Sequence, residues 1–561
     1  MKTNWKKIQV IAGIACLSVA SMFASVNEKG IEYYRAELYG AAKIYLENQI
    51  NQIQGTSLAE AYYYIGECYA ATEKLDSAAY FYQKAIQTDA EYPYSYIGEG
   101  KLALKKNNAN AANDLFKKAI GFAKKNPAVH TAVAEAYIDA KQYNKAEEVL
   151  DKARSINKKF SGIYVAEGDM LMSQGKAGDA CARYEMAIMF DPNDKIAYLK
   201  EARVYKSINP DRALDILSQL LAIDSDYIPA YAELGDTYYK KSNYAKAIEA
   251  YDKFIKIHGV PTQQLINYAS LLYFTKEYEK SLTEISKVLE KDPKNMVMRR
   301  LQFYNNYELE NYAKGLKQAE KFIQTVPQEN LIAQDYIYYG RLLDKDKNTK
   351  AAIEAYYKAL SIDETKTEVY KDLASAHEKE EDYGKAVSFY KKFIGTDRNA
   401  TLMDVLNYGR TCYRAGSQEI SPVKEDGVRK TQEELAADSD ILKNYLLLAD
   451  SVFTQVAEGL PDSYIGYFWR ARTNASLDPE VTLGLAKPYY EQAASILEAT
   501  PEGTSRNRDL IECYRYLGYY YYVQKDYCTC KVSFQKILEL DSGNEAAKQL
   551  LNDDAIKKMK C

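Results

Sequence analysis

The chain has 561 residues, of which 27% are charged and 47% hydrophobic. It is far too long for one compact core and ordinary in composition for a folded protein, so several domains or a repeat array are expected. The formal net charge of −4 argues against a general nucleic-acid binder, which needs a basic face.

Residues 1–24 have the pattern of an export signal. Lys2, Lys6 and Lys7 make a basic start, residues 8–20 are apolar, and small residues follow at Ala24 and Ser25. An apolar run of about 13 residues is too short to span a bilayer, which takes roughly 20. Ile14-Ala15-Cys16 offers a rival, lipoprotein anchoring through Cys16, but Gly13 stands where a larger aliphatic belongs and residues 17–23 stay apolar. The expectation is cleavage after about Ala24 and a periplasmic or outer-membrane-associated mature chain. Cleavage removes three lysines and no acid, taking the net charge from −4 to −7. No later apolar run reaches membrane length.

From residue 25 the chain reads as paired helices. In residues 59–92, Tyr62, Gly66 and Tyr69 share one helical face, and Ala78, Tyr82 and Ala85 repeat that spacing after a turn near Thr72 and Lys74. Neither helix hides its apolar stripe alone, so the pair needs neighbours on both sides. Sliding the second signature forward by 34 supplies them: Ala112/Phe116/Ala119, Ala146/Leu150/Ala153 and Ala180/Tyr184/Ala187. Copies continue at Ala213, Ala247, Ser281, Gly315, Ala352 and Ala386. The partner position 12 residues upstream stays small, as at Gly100, Ala134, Gly168, Gly235, Ala269, Gly340 and Ala374. Upstream, Gly30, Tyr33, Ala42 and Leu46 start the array. With 53 tyrosines against two tryptophans, tyrosine is the ring that this frame uses.

The register holds over residues 25–415 and then breaks. Residues 416–440 read as a polar insertion inside a repeat, with Pro422, Gly427 and a Thr431-x-x-Glu434 spacing that suits the cap of an extended helix. Residues 441–543 hold the last repeats, marked by Ala449/Phe453, Ala486/Tyr490 and Cys530/Phe534. Residues 544–561 are a polar closing helix and tail, the helix expected over 545–558.

This pattern resembles the tetratricopeptide repeat family, whose signature sets Leu-Gly and Tyr on one helix and Ala-x3-Phe with a later Pro on the next. The phrase around Tyr467, Trp469 and Arg472, with Pro488 and Tyr490, resembles exported members of Gram-negative bacteria. The resemblance implies an all-α, right-handed superhelical solenoid of about 13 helix–turn–helix repeats. It also implies a concave groove lined by the first helix of each repeat. The residue after each small Gly or Ala then points into the groove: the acids Glu67, Glu135, Asp169 and Asp236 early in the chain, and Tyr304, Arg341, Arg410, Arg472 and Tyr519 late. Three positions further on stand Tyr239, Tyr273, Tyr307, Tyr413 and Tyr522. The implied function is a non-catalytic scaffold or assembly factor that binds proteins or peptides. Arginine offers bidentate contacts to carboxylates, and tyrosine offers rigid contact area. A carbohydrate-binding protein using the tyrosines against sugar rings is the alternative. The two-carboxylate clamp of some relatives needs a lysine and an asparagine four apart, and the nearest match, Lys371 with Ser375, lacks the asparagine.

No catalytic, cofactor or metal site is expected. The three histidines are His130, His258 and His377, and His377 occupies a packing post. The cysteines are odd in number after cleavage and scattered, so no disulfide framework or zinc pattern is implied, and Cys528 and Cys530 read as small buried residues. No serine-hydrolase elbow, phosphate loop or dinucleotide fingerprint is present. The phasing itself is testable: Ala180→Arg is expected to wedge a helix pair apart and destabilise by several kcal/mol, on the order of large core substitutions, and a melting temperature that stays within about 2 °C of the parent would falsify it.

Overall fold

The computed structural model describes residues 27–424, 427–501, 504–557 and 559. The leader expected over residues 1–24 and the Cys16 anchor lie outside the described residues. Among the described residues the chain is all-helical, with 30 α-helices in stacked pairs and no strand; one isolated bridge joins Val423 and Arg429. From Glu28–Arg35 onward the helices make 14 pairs, slightly more than the expected 13 or so. The chain divides into two compact units, residues 1–305 and 306–561.

Most pairs turn in the same way. The first helix ends on a residue in the left-handed region, and these residues recur in step: Glu73 (φ 59°), Asn107 (φ 58°), Lys141 (φ 57°), Gly175 (φ 76°), Ser242 (φ 56°) and Lys276 (φ 65°). Around Glu73, the Lys74 N–H donates to the Tyr69 carbonyl at 2.9 Å and the Glu73 N–H to that of Ala70 at 3.2 Å. This double closure satisfies the carbonyls that a helix end leaves open. It stands without glycine at most of these turns, so it leaves little mark on the sequence.

The pairs are held by a ring on a glycine. A Cβ added to Gly66 would lie 2.6 Å from the Tyr82 ring, to Gly168 2.3 Å from the Tyr184 ring, and to Gly340 2.5 Å from the Tyr356 ring. Gly100 meets Phe116, Gly235 meets Tyr251, Gly409 meets Phe453 and Gly518 meets Phe534 in the same way. Where alanine takes the post, the facing residue shrinks to an aliphatic one, as in Ala134/Leu150 and Ala269/Ile285, all four fully buried; Ala374 with Tyr390 is the exception. Tyr82, Tyr184, Tyr251 and Tyr356 are among the largest fully buried side chains.

The insertion is shorter than the expected 416–440. The helix Leu402–Gly416 ends there, and the helix Gln432–Gly459 already covers residues 432–440. Thr431 caps it: its hydroxyl accepts from the Glu434 N–H at 3.2 Å while the Glu434 carboxylate accepts from the Thr431 N–H at 2.8 Å. The closing segment is two short helices, Glu545–Leu551 and Asp554–Lys557, and not one. The chain breaks at Asn552 and Asp553, and the Asp553 side chain restarts the helix by accepting from the Ala555 N–H at 2.9 Å.

Gly168→Ala is expected to cost roughly 1–3 kcal/mol by forcing the Tyr184 ring off its seat. Gly178→Ala, a helical site with nothing within 4 Å of the added carbon, is expected to stabilise by about 0.5–1 kcal/mol. Thermal unfolding of both variants checks this; equal effects at the two glycines would remove the ring-on-glycine contact as the cause.

Candidate functional site

In unit 1 the four predicted groove acids stand at the rim of the ring contacts. A tyrosine 15 residues downstream, the one seated on the preceding glycine, reaches back to the acid. The Tyr82 hydroxyl donates to Glu67 at 2.6 Å, the Tyr184 hydroxyl to Asp169 at 2.8 Å, and the Tyr251 hydroxyl to Asp236. A neighbouring repeat adds a cation, the next one for Glu67 and Asp169 and the preceding one for Asp236. Lys101 lies 2.7 Å from Glu67, Lys200 lies 2.8 Å from Asp169, and Lys206 lies 3.3 Å from Asp236. Glu67 is 3% exposed and also accepts from Tyr34 at 2.7 Å. Burial opposes its charge, but Lys101 and these hydrogen bonds outweigh burial and hold its carboxyl below the usual range.

Glu135 differs. Its counterpart 15 residues on is Leu150, which has no hydroxyl to give. Burial pushes the Glu135 carboxyl up to about 7, with Lys101 and Arg35 opposing and Asp169 and Asp139 adding to the rise. The acidic row is therefore three internally paired carboxylates and one that resists ionisation.

The tyrosines of the row pack on other rings. In unit 1, Tyr239 lies 6.2 Å from Tyr244, and Tyr273 lies 6.0 Å from Tyr304, which is buried. In unit 2, Tyr307 meets Tyr338 edge-on at 5.3 Å, and Tyr522 lies 5.8 Å from Tyr527. Tyr519 is 46% exposed.

The three arginines of unit 2 do not share one state. Arg341 is held by Asp372, with Nε at 3.0 Å and Nη2 at 2.8 Å from one carboxylate oxygen. Arg472 grips both carboxylate oxygens of Glu512 at 2.6 Å. Arg410 has no hydrogen bond or ion pair among the described residues, and its Nε is buried and unsatisfied. Its guanidinium lies 5.1 Å from the centre of the Trp469 ring, and that of Arg472 lies 5.0 Å from the same ring. Tyr413 closes on Trp469 edge-on at 5.6 Å and Phe453 stacks on it at 5.6 Å. Burial, with Arg414 and Arg472 as like charges, lowers the affinity of Arg410 for its proton. Arg414 is itself paired with Glu378 at 3.2 Å. Two guanidiniums, Arg410 and Arg472, thus share one indole, and of the two only Arg472 has a carboxylate partner.

Trp469 is the member of this cluster that the repeat signature does not point to, because its post is usually a packing one. The acid–tyrosine spacing of 15 is a second signal present in the sequence, and it separates paired acids from free ones.

The remaining side chains with chemistry are packed. His377 is 5% exposed, stacked on Phe389 at 5.5 Å and within 3.3 Å of the Tyr357 hydroxyl, and burial lowers its affinity for a proton. Cys68, Cys181, Cys412, Cys513 and Cys530 are buried and free. Cys528 is disulfide-bonded, which corrects its reading as a small buried residue. No group of three or more metal-ligating side chains occurs among the described residues. No helix of the described residues is long and apolar enough to cross a membrane.

Family models described as tetratricopeptide repeat match residues 29–95, 103–164, 228–258 and 336–366. A TPR repeat-containing protein of Methanocaldococcus jannaschii is 25% identical over 401 residues, which is 67% of this chain and 64% of its own length. The mouse DnaJ homolog subfamily C member 3 is 22% identical over 436 residues, 70% of this chain and 82% of that protein. Among solved structures, the C-terminal part of a TPR repeat-containing protein from Cytophaga hutchinsonii is 27% identical, with a TM-score of 0.40, covering 51% of this chain and 99% of that one. A tetratricopeptide repeat protein from Parabacteroides merdae is 16% identical, with a TM-score of 0.25, and covers 51% of this chain and 99% of its own.

The raised Glu135 carboxyl gives a pH prediction. Its folded pKa of about 7 lies above the ordinary 4.5, so the folded state binds the extra proton between those values. Stability falls as pH rises through that window and levels off above it. Glu135→Gln is therefore expected to stabilise on the order of 1 kcal/mol at pH 8 and far less at pH 5. Chemical denaturation at the two pH values measures the difference, and an equal shift at both contradicts the assignment.

Proposed function

The chain belongs to the tetratricopeptide repeat family, and we propose that it is a non-catalytic scaffold that holds other proteins or peptides in the bacterial cell envelope. The observation that carries the binding part is Arg410. A buried guanidinium nitrogen without a partner is costly, and its neighbours Arg414 and Arg472 repel it. A carboxylate from a bound protein relieves both penalties at once, with Trp469 and Tyr413 as a rigid aromatic wall beside it. Arg341 and Arg472, by contrast, are already occupied. Glu67, Asp169 and Asp236 of unit 1 are likewise committed to tyrosines and lysines, and Glu135 resists ionisation, which leaves unit 2 as the better candidate for partner contact.

The envelope part rests on the sequence of residues 1–24. The carbohydrate reading ranks second because most of the tyrosines proposed for it are engaged with neighbouring rings.

The test is cross-linking in intact cells followed by mass spectrometry, comparing the parent with Arg410→Glu, Arg341→Glu and Arg472→Glu. Arg410→Glu is expected to lose captured partners at an unchanged or higher melting temperature. The other two are expected to lower the melting temperature, since each leaves a carboxylate facing a new one. An unchanged partner set for Arg410→Glu sinks the assignment of this site; no partner captured by the parent sinks the scaffold.

A further inference from the structure

Unit 1 makes contacts that a linear stack of repeats does not need. In a solenoid each repeat touches its sequence neighbours, and the first pair, Glu28–Arg35 with Tyr39–Gln49, does stack on the next: the Asn27 side-chain amide donates to the Ser57 carbonyl at 2.7 Å and to Glu60 at 3.0 Å. Its other edge reaches the sixth pair. Lys195 pairs with Glu32, 163 residues away. Arg203 donates to the Ala36 carbonyl at 2.7 Å, 167 residues away, and lies 3.2 Å from Glu37. Lys200 stands 4.0 Å from Glu37. A backbone seam lies beside them: a Cβ on Gly40 would be 2.9 Å from the Gly259 carbonyl oxygen, and one on Gly259 would be 2.6 Å from the Gly40 carbonyl carbon. Gly259 has a φ of +78°, so two glycines allow two backbones to meet where side chains would hold them apart.

We infer that the first helix pair is a strap that closes unit 1 on itself, and that it lets go at this seam while its stack on the second pair stays folded. These cross-contacts are charged or backbone-to-backbone. Ionic contacts of this partly exposed kind are weak individually and screened by salt. The stacked side of the pair is packed on buried Leu46, Ala59 and Ile65. The seam is therefore the weaker edge, and it parts first while the stack stays folded. The inference is independent of the Arg410 site, which lies in unit 2.

Hydrogen–deuterium exchange on the full-length chain tests this. Glu32→Gln with Glu37→Gln removes the acids, and Gly40→Val wedges the seam without touching a charge. Either variant is expected to speed exchange about tenfold in residues 28–40 and 195–208, and Gly40→Val also in residues 255–261, which face Gly40. Residues 109–122, the second helix of the third pair, should keep the parent's rate. Raising the salt to about 1 M should act on the parent as the charge variant does and should leave the Gly40→Val protein unchanged. Unchanged exchange in both variants overturns the strap. Faster exchange spread evenly over unit 1 overturns it too, since that marks general destabilisation.

Discussion

An aromatic ring packed against a glycine is the contact on which the rest of this molecule depends. Two helices cannot close to that distance with a Cβ between them, and the ring fills what the missing side chain vacates. Seven glycines carry such a ring from the second helix of their own pair, from Gly66 with Tyr82 to Gly518 with Phe534. Once a pair is fixed in this way, its apolar stripe has only one place to go, which is against the next pair. The composition follows. Tyrosine is frequent because the ring is needed at every few turns of helix.

The same ring decides the electrostatics. Tyrosine differs from phenylalanine at this post by one hydroxyl, and that hydroxyl emerges beside the residue that follows the glycine. Where that residue is Glu67, Asp169 or Asp236, it finds a donor already in place. Glu135, facing Leu150, does not, and its carboxyl is the one driven toward neutrality. Packing and hydrogen bonding are thus coupled through one hydroxyl in each of these three repeats. An acid at this position is part of the frame first and available to a ligand second.

Much of this was legible in the sequence. The 34-residue register, the small posts and the Thr431 cap were all readable, because each reflects a local steric or hydrogen-bonding need that repeats. The two-helix ending after Glu545 and the shorter insertion were not, since helix ends depend on single capping groups such as Asp553. The groove residues could be located in the sequence, but their condition could not. Whether Arg472 is taken by Glu512 or Arg410 left alone depends on partners 40 or more residues away or on their absence. The acid–tyrosine spacing is an exception, a nonlocal contact made local by the repeat.

The contacts between the first and sixth pairs change what kind of object unit 1 is. A stack of repeats has low contact order, and its stability is close to a sum of neighbour terms. Links spanning 163 and 167 residues turn that line into a loop. The first pair made during synthesis must wait for a segment that emerges some 160 residues later before its outer edge is satisfied. Its two ends thereby become neighbours, so fraying that would start at a free N-terminal repeat has first to break a closed circuit.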